Sequence, residues 1–309
     1  MTKKNIKVSV VGFGSAGARH IRILNKNFGI GDIVIISKRK SKNLKSYKKI
    51  TDLKKLGIDY FIVSSKTSDH LSNIKFIEKN FSKKNVLIEK PLFHKPSPFK
   101  GKKNNYFIGY NLRFNPLLQF LKSDIKNKKN IYNIKVICNS YLPSWRSNIK
   151  SKKSYSASKK YGGGVISDLS HEIDYIRWIF GEFKINFSEK GRLSNLTKTS
   201  EDYLHLKGKI KKSNLSIDLN YFSKISKRQI FIDGKNFSIA VDLIKNSYKK
   251  IEGNRIFKKK FKDLNEDYTY IKQHQAIFNK DKKYLCRLEF AKKTLEYISN
   301  IKKWKNDKR

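Results

Sequence analysis

The stretch Val8-Ser-Val-Val-Gly-Phe-Gly-Ser-Ala-Gly-Ala-Arg-His20 decides how the rest of the chain is read. An apolar run breaks into Gly12, Gly14 and Gly17, then continues into a segment with apolar residues at Ile21, Ile23 and Leu24. Strand, glycine turn and helix, in that order, form the context in which G-x-G-x-x-G binds a dinucleotide. Gly12 permits the tight turn, Gly14 lets the backbone approach a pyrophosphate, and Gly17 lets the helix pack close to the strand. The pyrophosphate is then expected on the N–H groups of the helix's first residues, Ser15 and Ala16.

At 309 residues the chain fits two domains. With 38% hydrophobic residues, 20 Phe and 16 Tyr, it can fill two cores. No apolar run approaches the roughly 20 residues that span a bilayer, so a soluble chain with no membrane partner is expected. Cys138 and Cys286 lie far apart without Cys-x-x-Cys or His/Cys spacing. That fits a cytoplasmic location and excludes a disulfide framework or structural zinc site.

The formal net charge of +45 invites a nucleic-acid reading. The distribution argues against it. Lysines are spread over the whole chain alongside many Asn and Ile, residues that share A/T-rich codons, and no nucleic-acid-binding motif accompanies them. No specific nucleic-acid partner is expected, although salt-sensitive sticking to polyanions is.

In the first third, strands are predicted over 6–11, 32–37, 59–64, 85–88 and 105–110, and helices over 15–27, 51–56 and 69–80. Continuous apolar strands alternating with helices predict an α/β fold, an N-terminal doubly wound parallel Rossmann sheet over residues 1–113 that binds NAD(P). Residues 114–309 predict an α+β domain with a mostly antiparallel sheet. Its elements are a helix over 116–126, a strand over 131–142, a glycine-led helix over 165–180, strands between 184 and 242 and two C-terminal helices. Leu215, Ile217 and Leu219 show period two most clearly.

The acidic residue that holds an adenosine ribose belongs about 20 residues beyond the glycines. Ser37-Lys38-Arg39 stands there instead. A carboxylate repels a 2′-phosphate, whereas a hydroxyl with two cations binds one, so the sequence leans toward NADP, with NAD as the other possibility.

Four stretches, in order, resemble the Gfo/Idh/MocA oxidoreductases: Gly12 to His20, Glu89-Lys90-Pro91, Gly109-Tyr-Asn-Leu-Arg-Phe114, and Gly162-Gly-Gly-Val-Ile-Ser-Asp-Leu-Ser-His-Glu-Ile-Asp174 continuing to Trp178-Ile-Phe-Gly181. The resemblance implies metal-free hydride transfer between nicotinamide and a carbinol carbon of a sugar or related compound. It assigns Lys90, beside the nicotinamide, and His171, with Asp168 one turn earlier, as the catalytic set. That chemistry needs a proton-exchanging group and a cation for the developing alkoxide. Asp168 and His171 are three apart where many members have four; both spacings share a helical face, and Asp174 falls there too as an alternative orienting group.

The resemblance further places Ser64, Ser65, Thr67, His70, Glu89, Lys90 and Asn111 at the cofactor, and Arg113 at the substrate or in an interdomain salt bridge. The loop before the glycines carries Trp145, Arg146 and Tyr155, which suit an anionic sugar: arginine pairs with a carboxylate or phosphate and aromatic rings stack on sugar faces. Its likeness to members found with surface-glycan pathways points to an amino-sugar, nucleotide-sugar or nonulosonate substrate. Between Pro91 and Tyr106, where members usually have a helix, the prolines cannot build one. By resemblance, residues 114–309 are expected to bind substrate and to oligomerise, as a homodimer or tetramer. The alternative reading is a catalytically inactive nucleotide-binding sensor or partner subunit; Lys90, Asp168 and His171 together favour the enzyme.

Overall fold

The computed structural model describes residues 6–39, 41–145, 154–262 and 264–305. Strand β1 (Val8–Val11) runs through the glycine turn into α1 (Ser15–Phe28), followed by β2 (Ile33–Ile36) and the short β3 (Lys45–Tyr47). Next come β4 (Tyr60–Val63), α2 (His70–Asn80), β5 (Asn85–Ile88) and β6 (Asn105–Ile108). A second run opens with α3 (Pro116–Ile125), β7 (Ile131–Asn139), α4 (Val165–Asp168) and α5 (His171–Phe180). It continues through β8 (Lys184–Gly191), β9 (Tyr203–Ile210), β10 (Ser213–Asn220), β11 (Lys227–Gly234), β12 (Phe237–Asp242), β13 (Ser247–Glu252) and β14 (Arg255–Lys260). Helix α6 (Tyr268–Phe278), β15 (Cys286–Arg287) and α7 (Leu288–Lys303) follow.

The chain packs into two compact units: residues up to Phe114 together with Asp267–Leu295, and Asn115–Glu266 together with the residues from Glu296 onward. The sequence places a single cut, at 113/114. The return of 267–295 to the first unit has a packing reason: Ala276 and Ile277 of α6 join the core that α1 covers, and β15 pairs antiparallel with β6.

In the first unit the strand order is β15-β6-β5-β4-β1-β2-β3, parallel except for β15. Strands β1, β2 and β4 are buried along their whole length, which is why they read as unbroken apolar runs. Val8, Val10, Ile35, Ile62 and Leu87 face one core with Ile21 and Leu24 of α1. Val11, Val34, Phe61, Val63 and Ile88 face the other with Ile74 and Ile77 of α2. The order reverses between β1 and β4, the switch point where doubly wound sheets bind ligands at their strands' carboxyl ends. No helix forms between Pro91 and Asn105; Leu92, Phe93 and Phe99 are buried there instead, with Phe93 edge-on to Phe99 at 6.2 Å and Phe99 edge-on to Tyr106 at 5.4 Å.

The second unit's eight strands run β14-β13-β12-β11-β7-β10-β9-β8, antiparallel except for the β7–β10 pair. Leu215, Ile217 and Leu219 are buried, as their alternation predicts. Two expectations need correction. The helix predicted over 165–180 breaks at Leu169 and Ser170 into α4 and α5. The sheet also continues past 242 into β13 and β14. Asn115 caps α3 by accepting the Leu117 N–H at 2.8 Å, with Pro116 in the first turn.

Because Phe93 fills the place of a covering helix, Phe93→Ala is expected to destabilise the protein by about 3–5 kcal/mol. Denaturant unfolding measures this, and a loss below about 1 kcal/mol would mean that the segment does not seal the sheet.

Candidate functional site

The glycine turn is shaped by backbone proximity. Gly12 has φ +104°, and a Cβ there would lie 2.5 Å from the Ser65 amide nitrogen. A Cβ on Gly17 would lie 2.2 Å from the Gly12 carbonyl oxygen. Gly14 differs: a Cβ there would meet nothing within 4 Å, and no side chain caps the helix that starts at Ser15. Two glycines are therefore needed by the fold, while the third opens the uncapped, partly positive end of α1. Gly14 and Ser15 are exposed and Ala16 half-buried, so this open end has the form a pyrophosphate requires.

The loop after β4 closes the turn from the other side. The Ser64 hydroxyl donates to the Gly12 carbonyl at 2.8 Å, and the Ser65 hydroxyl accepts from Asn73 at 2.9 Å. Thr67 is buried. His70 is buried with Nδ1 3.1 Å from the Leu92 carbonyl and Nε2 3.1 Å from the Ser65 carbonyl. Burial pushes this imidazole below its ordinary range, against the pull of those carbonyls. Both ring nitrogens are thus engaged in holding the loop. At the end of β2 the Ser37 hydroxyl accepts the Arg39 N–H at 2.9 Å, and Lys38 and Arg39 are exposed.

Lys90 lies half-buried just past β5 and is joined to Pro91 by a cis peptide. Glu89 before it is buried; its Oε1 lies 2.8 Å from His20 Nε2 and its Oε2 accepts the Lys90 N–H at 3.3 Å. Burial works to raise the Glu89 carboxyl, but the His20 hydrogen bond and the positive charge of Lys90 hold it below the usual carboxylate range. Asn111 is buried and donates to Thr269 at 2.7 Å. Arg113 is buried with its guanidinium 4.2 Å from the centre of the Phe290 ring, a cation–π contact within the first unit.

In the second unit Asp168 is buried and held by two phenols. Tyr155 donates to Oδ1 at 3.1 Å and Tyr221 to Oδ2 at 2.6 Å. Burial and then the Asp168 carboxylate push the Tyr221 hydroxyl well above its ordinary range, so it remains a donor. Trp145 stands edge-on to Tyr221 at 5.4 Å and donates to Ser140 at 2.5 Å. Trp145, Tyr155, Asp168 and Tyr221 therefore form one cluster. Arg146 lies outside the described residues. His171 starts α5 and is 9% exposed. The break after Asp168 means that the shared-face argument for Asp168, His171 and Asp174 does not hold in its simple form. Glu172 is fully buried and paired with Arg228 at 2.7 Å, tying α5 to β11. Tyr221 was missed in the sequence, although it continues the buried alternation of Leu215, Ile217 and Leu219. Among the described residues no three of His, Cys, Asp and Glu are grouped to hold a metal.

Two family profiles cover most of the chain. That of an oxidoreductase family's NAD-binding Rossmann fold matches residues 6–100, and that of the same family's C-terminal alpha/beta domain matches residues 122–303. No curated protein matches in sequence. Solved structures match in fold. The WlbA dehydrogenase from Bordetella pertussis, in complex with NADH and UDP-GlcNAcA, is 16% identical, with 98% of this chain and 96% of that one covered and a TM-score of 0.76. A levoglucosan dehydrogenase, in complex with NADH and levoglucosan, is 13% identical over 96% of each chain, with a TM-score of 0.82. UDP-N-acetylglucosamine 3-dehydrogenase GnnA from Acidithiobacillus ferrooxidans is 13% identical, with 96% of this chain and 97% of that one covered and a TM-score of 0.74.

The glycines give a separable prediction. Gly14→Val is expected to leave stability within about 1 kcal/mol, because its Cβ enters open space, yet to abolish nucleotide binding. Gly17→Ala is expected to lower stability by about 1–3 kcal/mol through overpacking against the Gly12 carbonyl. Thermal unfolding beside nucleotide titration separates the two, and a Gly14→Val protein that binds nucleotide normally would refute the assigned cradle.

Proposed function

Because the chain belongs to the Gfo/Idh/MocA family of oxidoreductases, with an NAD-binding Rossmann fold, we propose that it transfers a hydride between a nicotinamide and a carbinol or carbonyl carbon of a sugar derivative. The observation that carries this reading is the glycine turn, whose one open glycine lies over an uncapped helix start. A bound nicotinamide nucleotide supplies the carbon that accepts or returns the hydride.

When a hydride leaves the carbinol carbon, the hydroxyl proton must also leave. His171 is assigned that proton, since an imidazole exchanges protons near neutral pH. Lys90 is assigned the alkoxide-stabilising cation, held by the carboxyl end of β5 beside Glu89. Asp168, fixed through both oxygens by Tyr155 and Tyr221, is assigned the orientation of a substrate hydroxyl. Two phenols leave it little rotational freedom, so it is already in place before substrate arrives.

Two finer assignments rest on this. Exposed Lys38 and Arg39 beyond a Ser37 hydroxyl, with no carboxylate at the ribose position, favour NADP. The Trp145, Arg146 and Tyr155 segment favours an anionic sugar; a similar fold that holds UDP-GlcNAcA supports that class.

Fluorescence titration with NADPH and NADH at moderate salt is the first test. NADPH is expected to bind, and Arg39→Asp to weaken it by about 10- to 100-fold, the value of a hydrogen bond to a charged group, while NADH is little affected. Lys90→Met is expected to keep cofactor binding and to lose about 10²–10⁴ in turnover on the anionic sugars that the native protein accepts. Failure of both nucleotides to bind would overturn the proposal.

A further inference from the structure

The first unit contains a line of buried polar side chains that hydride transfer does not by itself require. Tyr60 at the start of β4, His274 on α6, His20 on α1 and Glu89 after β5 are each at most 9% exposed. The Tyr60 hydroxyl lies 3.0 Å from His274 Nδ1, His274 Nε2 lies 2.9 Å from His20 Nδ1, and His20 Nε2 lies 2.8 Å from Glu89 Oε1. The second Glu89 oxygen accepts the backbone N–H of Lys90.

Counting protons fixes the direction of these bonds. Glu89 accepts, so His20 Nε2 carries a proton. A neutral His20 then has a bare Nδ1 that accepts from His274 Nε2–H, leaving His274 Nδ1 bare to accept from the Tyr60 hydroxyl. Every donor points toward the carboxylate and every group is satisfied. If His20 were an imidazolium, His274 would reverse and donate to Tyr60. The phenol proton would then have no acceptor, because Tyr60 has no other hydrogen-bond partner among the described residues. Burial pushes His274 well below its ordinary range, so it is the neutral ring in either arrangement, and the direction rests on the hydrogen-bond count.

We infer that His20 and His274 are positioning residues: the Tyr60–His274–His20–Glu89 chain locks the backbone that carries Lys90 to the helix whose start forms the glycine cradle. This rests on the cofactor reading above. Buried polar chains are costly unless fully satisfied, and apolar residues could fill the same volume. What this chain provides is a directional link from α1, by way of Glu89, to the amide of Lys90. A cofactor that orders the start of α1 would thereby order Lys90, three side chains of the link being supplied by α1, α6 and β4.

The test uses the full chain labelled with [15N]histidine, whose six histidines keep the spectrum simple, with His20→Gln and His274→Gln for assignment. Both residues are expected as neutral Nε2–H tautomers with bare Nδ1; a charged ring or the opposite tautomer at either overturns the chain. In parallel, acetylation of Lys90 is followed by mass spectrometry with and without NADPH. His20→Leu is expected to reduce NADPH protection of Lys90 roughly tenfold, the equivalent of one buried hydrogen bond, and His20→Gln, which keeps a donor and an acceptor, to restore most of it. Unchanged protection in a folded His20→Leu protein overturns the inference. Should that variant not fold, Tyr60→Phe removes only the terminal hydroxyl. It is expected to shift the nitrogen resonances of both His274 and His20, and an unmoved His20 overturns the link. If the native protein binds neither NADPH nor NADH, it is the proposed function that fails, and the tautomers still decide the chain.

Discussion

Gly17 has no space for a side chain. The Gly12 carbonyl oxygen lies 2.2 Å from where its Cβ would be, and the Ser64 hydroxyl, donating to that same carbonyl, lies 2.8 Å away. This close approach sets the distance between α1 and the sheet, and with it much else in the first unit. It places the helix start over the carboxyl ends of β1 and β4, where the strand order reverses. It also brings His20, three residues on and on the same helical face, against Glu89. A larger residue at position 17 would disturb both ends of that arrangement, because packed interiors do not absorb added atoms without shifting backbone.

The parts of the fold legible in the sequence are those with a period. Strands buried on both faces read as apolar runs, α2 as Ile74 and Ile77 on one face, and β10 as alternation. Strand β14 was invisible for the complementary reason. Arg255 to Lys260 are all exposed, so no buried period marks them, and pairing with β13 alone makes them a strand. The break between α4 and α5 also carries no periodic signal, since residues 165–171 are almost uniformly buried on either side of it. Within the candidate site, the glycine turn and the Glu-Lys-Pro turn stand out in the sequence because their residues are contiguous. The His20–His274 contact joins residues 254 apart, and no local pattern marks either partner. Tyr221 lay within reach: a hydroxyl continuing a buried alternation must find an acceptor, and that acceptor is Asp168.

Three buried carboxylates are held in three ways, and the difference bears on what each can do. Glu172 meets the guanidinium of Arg228, an ion pair whose charges cancel and whose effect is to fasten α5 to β11. Burial opposes the Arg228 charge, yet Glu172 raises its pKa further. Asp168 takes a phenol hydrogen bond on each of its two oxygens. Glu89 is met by an imidazole and a backbone amide, again donors that fix orientation. A hydrogen-bonded carboxylate is fixed in direction, whereas one paired with a buried arginine is also largely neutralised. Glu172, adjacent to His171 in sequence, is thereby built into the packing of the second unit.

The excess of basic residues sharpens that distinction. With 70 Lys and Arg against 25 Asp and Glu, a lysine's presence carries little information, and the structure shows lysines directly opposite one another on neighbouring strands, as in Lys249 with Lys258 and Lys184 with Lys209. Such pairs are mildly unfavourable, by about 0.2–1 kcal/mol each, which a fold can tolerate where solvent screens the charges. An acidic residue in this chain is a different matter. Asp202 takes the Leu193 and Ser194 amides and the Ser194 hydroxyl, and Asp267 takes a two-pronged contact from Arg22. These two carboxylates stand where several donors converge, because an acceptor with two oxygens is what those places require. In so basic a sequence the scarce sign is therefore the informative one, and a search for working residues does better to start from its buried carboxylates than from its abundant cations.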